Sequence, residues 1–222
     1  MALLSKGESK GSDFEPVPAG THLARCVSVV DMGLQETRFG RKDKVYLGFE
    51  VPGVRVKWKK DDQEHEGPAL IGSTYTNSIH PKSILGQHLE AWRGKAFTDE
   101  ERQGFDLFTL LNVPCMISVT HNTSGDKVYA NINGIMKPMA GTEVPPAETP
   151  VIGYTPGDAE KIGNLDKLPN WLQEKCKAGH GAAADSLGAA QHVSGMMTDV
   201  AGGQNVDGPP TPPPAFDDDI PF

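Results

Sequence analysis

The sequence predicts a mainly β fold: a small antiparallel barrel of five to six strands with a helical insertion, followed by a largely disordered acidic C-terminal tail. Two observations predict it. Short segments with alternating apolar and polar residues follow one another up to residue 137, separated by glycine, proline or charged residues. Beyond that point the composition turns rich in Gly, Pro, Ala and acidic residues, which bury too little apolar surface to offset their ordering entropy.

The first half of the domain is predicted to be all strand and loop. Thr21–Met32 is rich in β-branched residues and predicts a long first strand, and Gly33–Lys44 is expected to be a charged loop. Lys44–Val51 alternates between apolar and polar positions. Pro52-Gly53 is a turn signal, and Val54–Lys59 alternates again, so the sequence predicts a hairpin whose returning strand has a basic face.

The second half inserts helices between strands. Ala69–Thr76 predicts a further strand, and the apolar spacing in Lys82–Trp92 predicts a helix. Thr98 is followed three residues later by Glu101, which is typical of a capping box and predicts a second, short helix. Cys115–His121 and Val128–Met136 predict the last two strands. Strands, then helix, then two strands is the order expected of an OB-like barrel.

The chain therefore divides into five predicted parts. They are a flexible N-terminal arm (1–19), an OB-like domain (20–137), a linker with a short helical segment (138–177), a disordered Gly/Ala/Pro-rich linker (178–215) and an acidic tip (216–222).

Charge is unevenly distributed along the chain. The net charge is −8, but residues 1–137 hold 17 Lys+Arg and 17 Asp+Glu, whereas residues 138–222 hold 4 and 12. Within the first part, residues 38–60 hold eight basic residues and two acidic ones. A basic segment inside a neutral domain, followed by an acidic tail, is compatible with a nucleic-acid binder despite the overall negative charge.

Sequence-independent binding of single strands needs cations for the phosphates and flat side chains for the bases. The basic segment offers both. The candidate DNA-binding residues are Arg38, Arg41, Lys42, Tyr46, Arg55, Lys57 and Lys59. The alternative for the basic residues is a lysine-rich sheet edge that resists aggregation. Among the other aromatic residues, spacing favours core packing for Trp58 and Trp92, whereas Tyr75 and Tyr129 could either stack on bases or pack in the core.

Signals of catalysis and of cofactor or metal binding are missing from the sequence. No nucleophile motif and no phosphate-binding glycine loop occurs, and the seven histidines lack ligand spacing, so we expect neither an enzyme nor a metal or other cofactor. The three cysteines lie far apart, which argues against a disulfide framework and favours a reducing cytoplasm. We expect no signal peptide and no association with a membrane.

The last seven residues form a compact apolar and acidic ligand. They are Phe216, Asp217, Asp218, Asp219, Ile220, Pro221 and Phe222. A terminal aromatic ring suits an apolar pocket, and the acidic run suits a basic rim. This ending closely resembles the acidic tip of bacterial single-stranded DNA-binding proteins. The resemblance implies that the tip docks replication, recombination and repair proteins.

The body resembles phage and prophage single-stranded DNA-binding proteins over roughly residues 16–137. The resemblance is carried by Pro18-Ala19-Gly20-Thr21, Leu89-Glu90-Ala91-Trp92-Arg93-Gly94, Phe97-Thr98 and Asn112-Val113-Pro114-Cys115. It implies an OB-like domain, a phage or prophage origin and a location in the cytoplasm of the bacterial host.

The leading hypothesis is non-enzymatic, largely sequence-independent binding of single-stranded DNA in phage replication, recombination or repair, with partner proteins recruited by the tip. One alternative is an adaptor that mimics the host tip to compete for its partners. Another is a strand-annealing recombination factor. Homo-oligomerisation stays open. Because the tail is acidic and the groove basic, we expect the tail to compete with DNA at low salt.

Overall fold

Six strands and four α-helices make up the part of the chain that our computed structural model describes, residues 16–60, 63–125, 127–162 and 164–181. The strands are β1 (Gly20–Thr37), β2 (Gly40–Lys60), β3 (Gln63–Thr76), β4 (Pro114–Ser124), β5 (Lys127–Met136) and β6 (Ile152–Tyr154). The helices are α1 (Ile84–Arg93), α2 (Asp99–Gln103), α3 (Ala159–Ile162) and α4 (residues 170–181), with short 3₁₀ turns at Leu107–Leu110 and Leu165–Lys167.

The strands form one curled sheet in the order β3-β2-β1-β4-β5, and every neighbouring pair on this path is antiparallel. The short β6 pairs in parallel with β1. The curl brings residues of the two edge strands, β3 and β5, within 8 Å of each other between Cα atoms. This half-barrel confirms the predicted mainly-β antiparallel architecture, with helices between the third and fourth strands.

Helix α1 closes the main core. It begins at the N-cap Ser83, whose side chain accepts a hydrogen bond from the Gly86 amide, and ends at Gly94, whose φ of 71° suits glycine. Its buried face includes Leu85, Leu89 and Trp92, which belong to the main core, where the Trp92 ring centroid lies 5.8 Å from that of Phe49 on β2. Each such fully buried side chain contributes about 1.5–3 kcal/mol through the hydrophobic effect. The predicted capping box of α2 is also present.

The predicted loop at Gly33–Lys44 is wrong. Strands β1 and β2 continue toward each other as a ribbon, and only Arg38 and Phe39 form the turn between them. The loop was predicted because polar and charged residues dominate this segment. A two-stranded ribbon has no core to bury, so its residues need not alternate with apolar ones.

The predicted hairpin turn at Pro52-Gly53 is also wrong. Strand β2 runs on to Lys60, and its pairing partner throughout is β3. Val51 pairs with Ala69, but Arg55 pairs with Pro68, so β2 holds three extra residues at this point. Proline and glycine are tolerated because the extra residues form a β-bulge, which leaves them outside the regular ladder.

The segment predicted as a linker, 138–177, instead contributes structure to the domain. Strand β6 pairs with β1 within the sheet, helix α4 packs on the side of β1 that faces away from the main core, and a second apolar cluster forms there. Its buried members are Val30, Met32, Tyr154, Leu168, Leu172 and Cys176. The predicted helical segment at Leu168–Cys176 lies within this layer, although the helix spans residues 170–181.

Helix α4 packs on β1 with the backbones of the two elements in close contact. A Cβ added at Gly179 would lie 1.9 Å from the Met32 carbonyl oxygen, so only glycine fits there. The opposing Gly33 lies at a register shift of β1 with a φ of 65°. Asp31 accepts a hydrogen bond from the Thr155 hydroxyl (2.8 Å), and its backbone oxygen lies 3.0 Å from His180 Nε2. The described residues all belong to one compact unit.

Candidate nucleic-acid interface

Tyr46 lies on the outer face of the sheet, by which we mean the side of β1, β2 and β3 opposite the main core. Its ring lies over Gly48, two residues further along its own strand, and over Gly72 of the neighbouring strand β3. A Cβ added at Gly72 would lie 2.1 Å from the Tyr46 hydroxyl oxygen, and one at Gly48 would lie 3.1 Å from the ring. Burial raises the pKa of the Tyr46 phenol. The two glycines therefore create the space that lets this aromatic ring lie along the sheet.

Trp171, on α4, packs against Tyr46. The ring centroids are 5.5 Å apart and the planes meet at 79°, an edge-to-face arrangement. The indole is nevertheless 49% exposed. Sequence reasoning missed Trp171 as a site residue because its helix was assigned to a linker. A large aromatic residue beside buried leucines in a Gly/Pro-rich segment was the available signal.

Two lysines of β2, Lys42 and Lys44, precede this aromatic pair on the same face of the strand. Strand alternation places Lys42, Lys44 and Tyr46 on the same face. Lys44 Nζ donates to Thr76 Oγ1 at 2.9 Å. The pKa of Lys44 is lowered by burial and, second, by the nearby charge of Lys42. No acidic residue in the described part of the chain forms an ion pair with either lysine, so a bound anion would relieve their repulsion.

The bulge turns Arg55 and Lys57 onto the outer face as well, but acidic residues compensate their charges. Arg55 Nη1 lies 2.6 Å from Glu148 Oε1, and its Nε lies 3.6 Å from Glu66. The hydrogen bond to Glu148 raises the pKa of Arg55. Lys57 Nζ lies 3.9 Å from Glu66. The side chain of the third predicted base in this group, Lys59, lies outside the described residues.

A buried carboxylate separates these two groups of cations. Glu50 is fully buried on the outer face and accepts hydrogen bonds from the backbone amides of Glu148 (3.0 Å) and Thr149 (2.7 Å). The segment carrying those amides therefore covers the middle of β2. The row of Lys42, Lys44 and Tyr46 lies on the same strand, on the ribbon side of this segment.

The remaining predicted residues, Arg38 and Arg41, lie at the tip of the β1–β2 ribbon. Arg41 pairs with Glu36 across the ribbon at 2.5 Å. The Arg38 guanidinium lies 4.6 Å from the centroid of the Phe39 ring, and Phe39 is 67% exposed. The structure thus brings two of the predicted residues together, Lys42 and Tyr46. It places Arg38 and Arg41 at the tip of the ribbon, and it holds Arg55 and Lys57 in ion pairs.

The other aromatic residues divide between core and surface. Trp92 and Tyr75 are buried, the latter with its hydroxyl 3.2 Å from His88 Nδ1, whereas Tyr129 is 50% exposed on β5. Trp58 does not join the core, contrary to expectation. It stacks on His65 of β3, with centroids 5.8 Å apart.

Trp58 also lines a groove of about 820 Å³ along the edge of β3. Its walls include Val17, Ile71 and Ala130. The groove opens where β3 and β5 approach each other without forming a ladder in the described residues.

Within the described residues, no group of three or more His, Cys, Asp or Glu side chains is arranged to hold a metal ion. None of the helices there combines the length and apolar character needed to cross a bilayer. The tip Phe216–Phe222 lies outside the described residues. A scan against protein-family models finds none that matches this chain, and a search of curated proteins finds no significant match.

Proposed function

We propose that this protein binds single-stranded DNA without catalysing a reaction and without strong sequence preference. One observation carries the proposal: Lys42, Lys44, Tyr46 and Trp171 lie in a row on the outer face. The two lysines have no acidic partner within the described part of the chain, and they lie beside two partly exposed aromatic rings. Cations that follow the phosphates and rings that stack on the bases are what sequence-tolerant binding of a single strand needs.

The strand order supports the same proposal. In an OB-fold, a five-stranded partly open barrel, oligonucleotides bind on the face of strands 2 and 3 and beside the loop between strands 1 and 2. The order β3-β2-β1-β4-β5, the approach of β3 to β5 and the helix between β3 and β4 suit that fold. Tyr46 lies on β2 over Gly72 of β3, and the basic tip joins β1 to β2.

The second part of the proposal concerns partners. Resemblance of Phe216–Phe222 to the acidic tip of bacterial single-stranded DNA-binding proteins supports recruitment of replication, recombination and repair proteins to the DNA that the body holds. A phage or prophage origin rests on the resemblance of the body and belongs to the same proposal.

Fluorescence titration with oligo-dT over a salt series tests the proposal. The double variant Lys42→Gln/Lys44→Gln removes two phosphate contacts, so the slope of log K against log salt should decrease by about 1.4, at about 0.7 per phosphate of a single strand. Trp171→Ala should weaken binding by about 1–3 kcal/mol, the contribution of one base–aromatic stack. The slope of the Trp171 variant should remain that of the wild type.

Matched controls separate these effects from general ones. Lys82→Gln/Lys137→Gln removes the same charge from exposed positions near α1, and Ile84→Ala truncates a residue that is 54% exposed on α1. Neither should change binding beyond a small, non-specific electrostatic effect. If the wild-type protein fails to bind oligo-dT at low salt, the proposal is wrong. That result would support the alternative that the protein is an adaptor that competes for the partners of the host tip.

A further inference from the structure

Phe39 occupies a position that packing does not explain. It is the second of two turn residues joining β1 to β2, and it is 67% exposed. Turn positions favour Gly, Asn, Asp, Ser and Pro, because those residues suit the turn backbone or bond to it. A large aromatic side chain there makes no contribution to either apolar core of the described chain.

The turn holds Phe39 in a fixed backbone conformation. The Thr37 hydroxyl accepts a hydrogen bond from the Phe39 amide (3.2 Å) and donates one to the Gly40 carbonyl (2.7 Å). Gly40 has a φ of 90°, which glycine adopts readily. The Arg38 guanidinium lies over the ring. Fixing these residues before binding reduces the conformational entropy that binding would otherwise cost.

Charge around the tip favours a polyanion over a protein partner. Four basic residues lie in the turn or follow it along β2, namely Arg38, Arg41, Lys42 and Lys44. The two acidic residues of the ribbon already have partners: Glu36 pairs with Arg41, and Asp43 accepts a hydrogen bond from the Asn77 side chain at 2.8 Å. The tip therefore presents a flat apolar ring within an excess of positive charge.

We infer that Phe39 stacks on the terminal base pair where a single strand meets a duplex. This inference rests on the proposed function, because the row from Lys42 to Tyr46 would hold the unpaired strand as it leaves the duplex. Tyr46 lies six residues along β2 from Gly40, about 20 Å at the usual strand rise. Apolar side chains that insert at base steps are a recurrent means of holding DNA, and a duplex end exposes such a face without prior unstacking.

The test compares an oligo-dT strand with a duplex carrying a single-stranded dT tail and 2-aminopurine in its last base pair. The wild-type protein should bind the tailed duplex more tightly than oligo-dT and should change the 2-aminopurine fluorescence. In the Phe39→Ala variant, the ratio of tailed-duplex affinity to oligo-dT affinity should fall by on the order of fivefold or more, and the fluorescence change should be lost. Its affinity for oligo-dT should equal that of the wild-type protein. Phe39→Trp should retain both. Met139→Ala, at a residue that is 68% exposed, is the control and should behave as wild type.

Two outcomes would overturn the inference: Phe39→Ala keeps the wild-type preference for the junction, or it weakens oligo-dT and tailed-duplex binding equally. Failure of the proposed function looks different, because the wild-type protein would then not bind oligo-dT at all. A Phe39-dependent fluorescence change without oligo-dT binding would support the junction contact and refute the wider proposal.

Discussion

Glu50 illustrates how a single residue joins two layers of the molecule. A fully buried carboxylate is unfavourable unless hydrogen bonds replace its lost hydration, and here two backbone amides supply them. Those amides belong to Glu148 and Thr149, nearly a hundred residues away in sequence. The Glu148 side chain in turn binds Arg55. One acidic residue on β2 thus anchors the segment that covers the middle of the outer face.

Replacing Glu50 by Gln should lower the free energy of unfolding by about 1.5–3 kcal/mol. The substitution removes the charge that strengthens both hydrogen bonds, and it turns an amide group toward one of the two backbone donors. Urea denaturation measures the change. Glu64→Gln, at an exposed position of β3, should leave the midpoint unchanged. Equal stability of the two variants would show that the buried carboxylate is not an anchor.

Residue patterns reveal local structure better than long-range structure. The capping box at Thr98 and the apolar spacing of α1 are set within a few residues, and both were predictable. Alternation located the strands and placed Tyr46 correctly on the polar side of β2. It did not show that Trp171 packs against Tyr46, because that contact joins residues 125 positions apart. For the same reason, alternation does not predict the ion pairs that compensate the charge of Arg55.

At the scale of elements, the composition did not predict that α4 packs against the sheet. Its segment is rich in glycine and polar residues, yet Leu168, Leu172 and Cys176 suffice to bury one face on β1. Two glycines, Gly33 and Gly179, allow the close approach. Proline and glycine in this segment predict a linker, whereas in the structure two glycines allow a helix to dock directly on strand backbone.

Gly179→Ala should release α4 from β1, since the new Cβ would overlap the Met32 carbonyl. Burial raises the pKa of the Cys176 thiol to about 11, which keeps it protonated and unreactive near neutral pH. Release of the helix should lower that pKa and raise the thiolate fraction. The rate of Cys176 modification by a disulfide reagent at about pH 8 should therefore increase.

Gly181→Ala is the matched control, because nothing lies within 4 Å of a Cβ at that position. Cys26 and Cys115 should stay unreactive in both variants, since burial in the main core raises their pKa values as well. Equal rates for the Gly179 and Gly181 variants would contradict the docking argument.

At the scale of the whole molecule, charge separates into a neutral body and an acidic C-terminal part. The body has 17 basic and 17 acidic residues up to position 137, and the remainder carries the entire net charge of −8. On the outer face, Arg55 and Lys57 already have acidic partners, whereas Lys42 and Lys44 have none among the residues that the structure describes. A linked acidic segment can therefore compete with an anionic ligand for this row of cations.

Deleting Asp217–Phe222 should tighten binding of oligo-dT at low salt, because the competing acidic run is removed. The gain should disappear as salt screens the competition. Titration across a salt series measures it. The variant Ile220→Ala/Phe222→Ala keeps every charge and should retain the wild-type DNA affinity. If the deletion leaves affinity unchanged at every salt concentration, the tail does not compete.

The bulge between Val51 and Arg55 also separates the length of this region from the direction of its side chains. Pairing of Arg55 with Pro68 restores the ladder beyond the three extra residues, so that Arg55 and Lys57 lie on the outer face and Val54 and Val56 pack toward the core. Deleting all three extra residues would place Arg55 directly after Val51, and alternation would still direct Arg55 to the outer face. The length of the bulge can therefore change without exchanging the polar and apolar faces, as long as Arg55 keeps its pairing with Pro68.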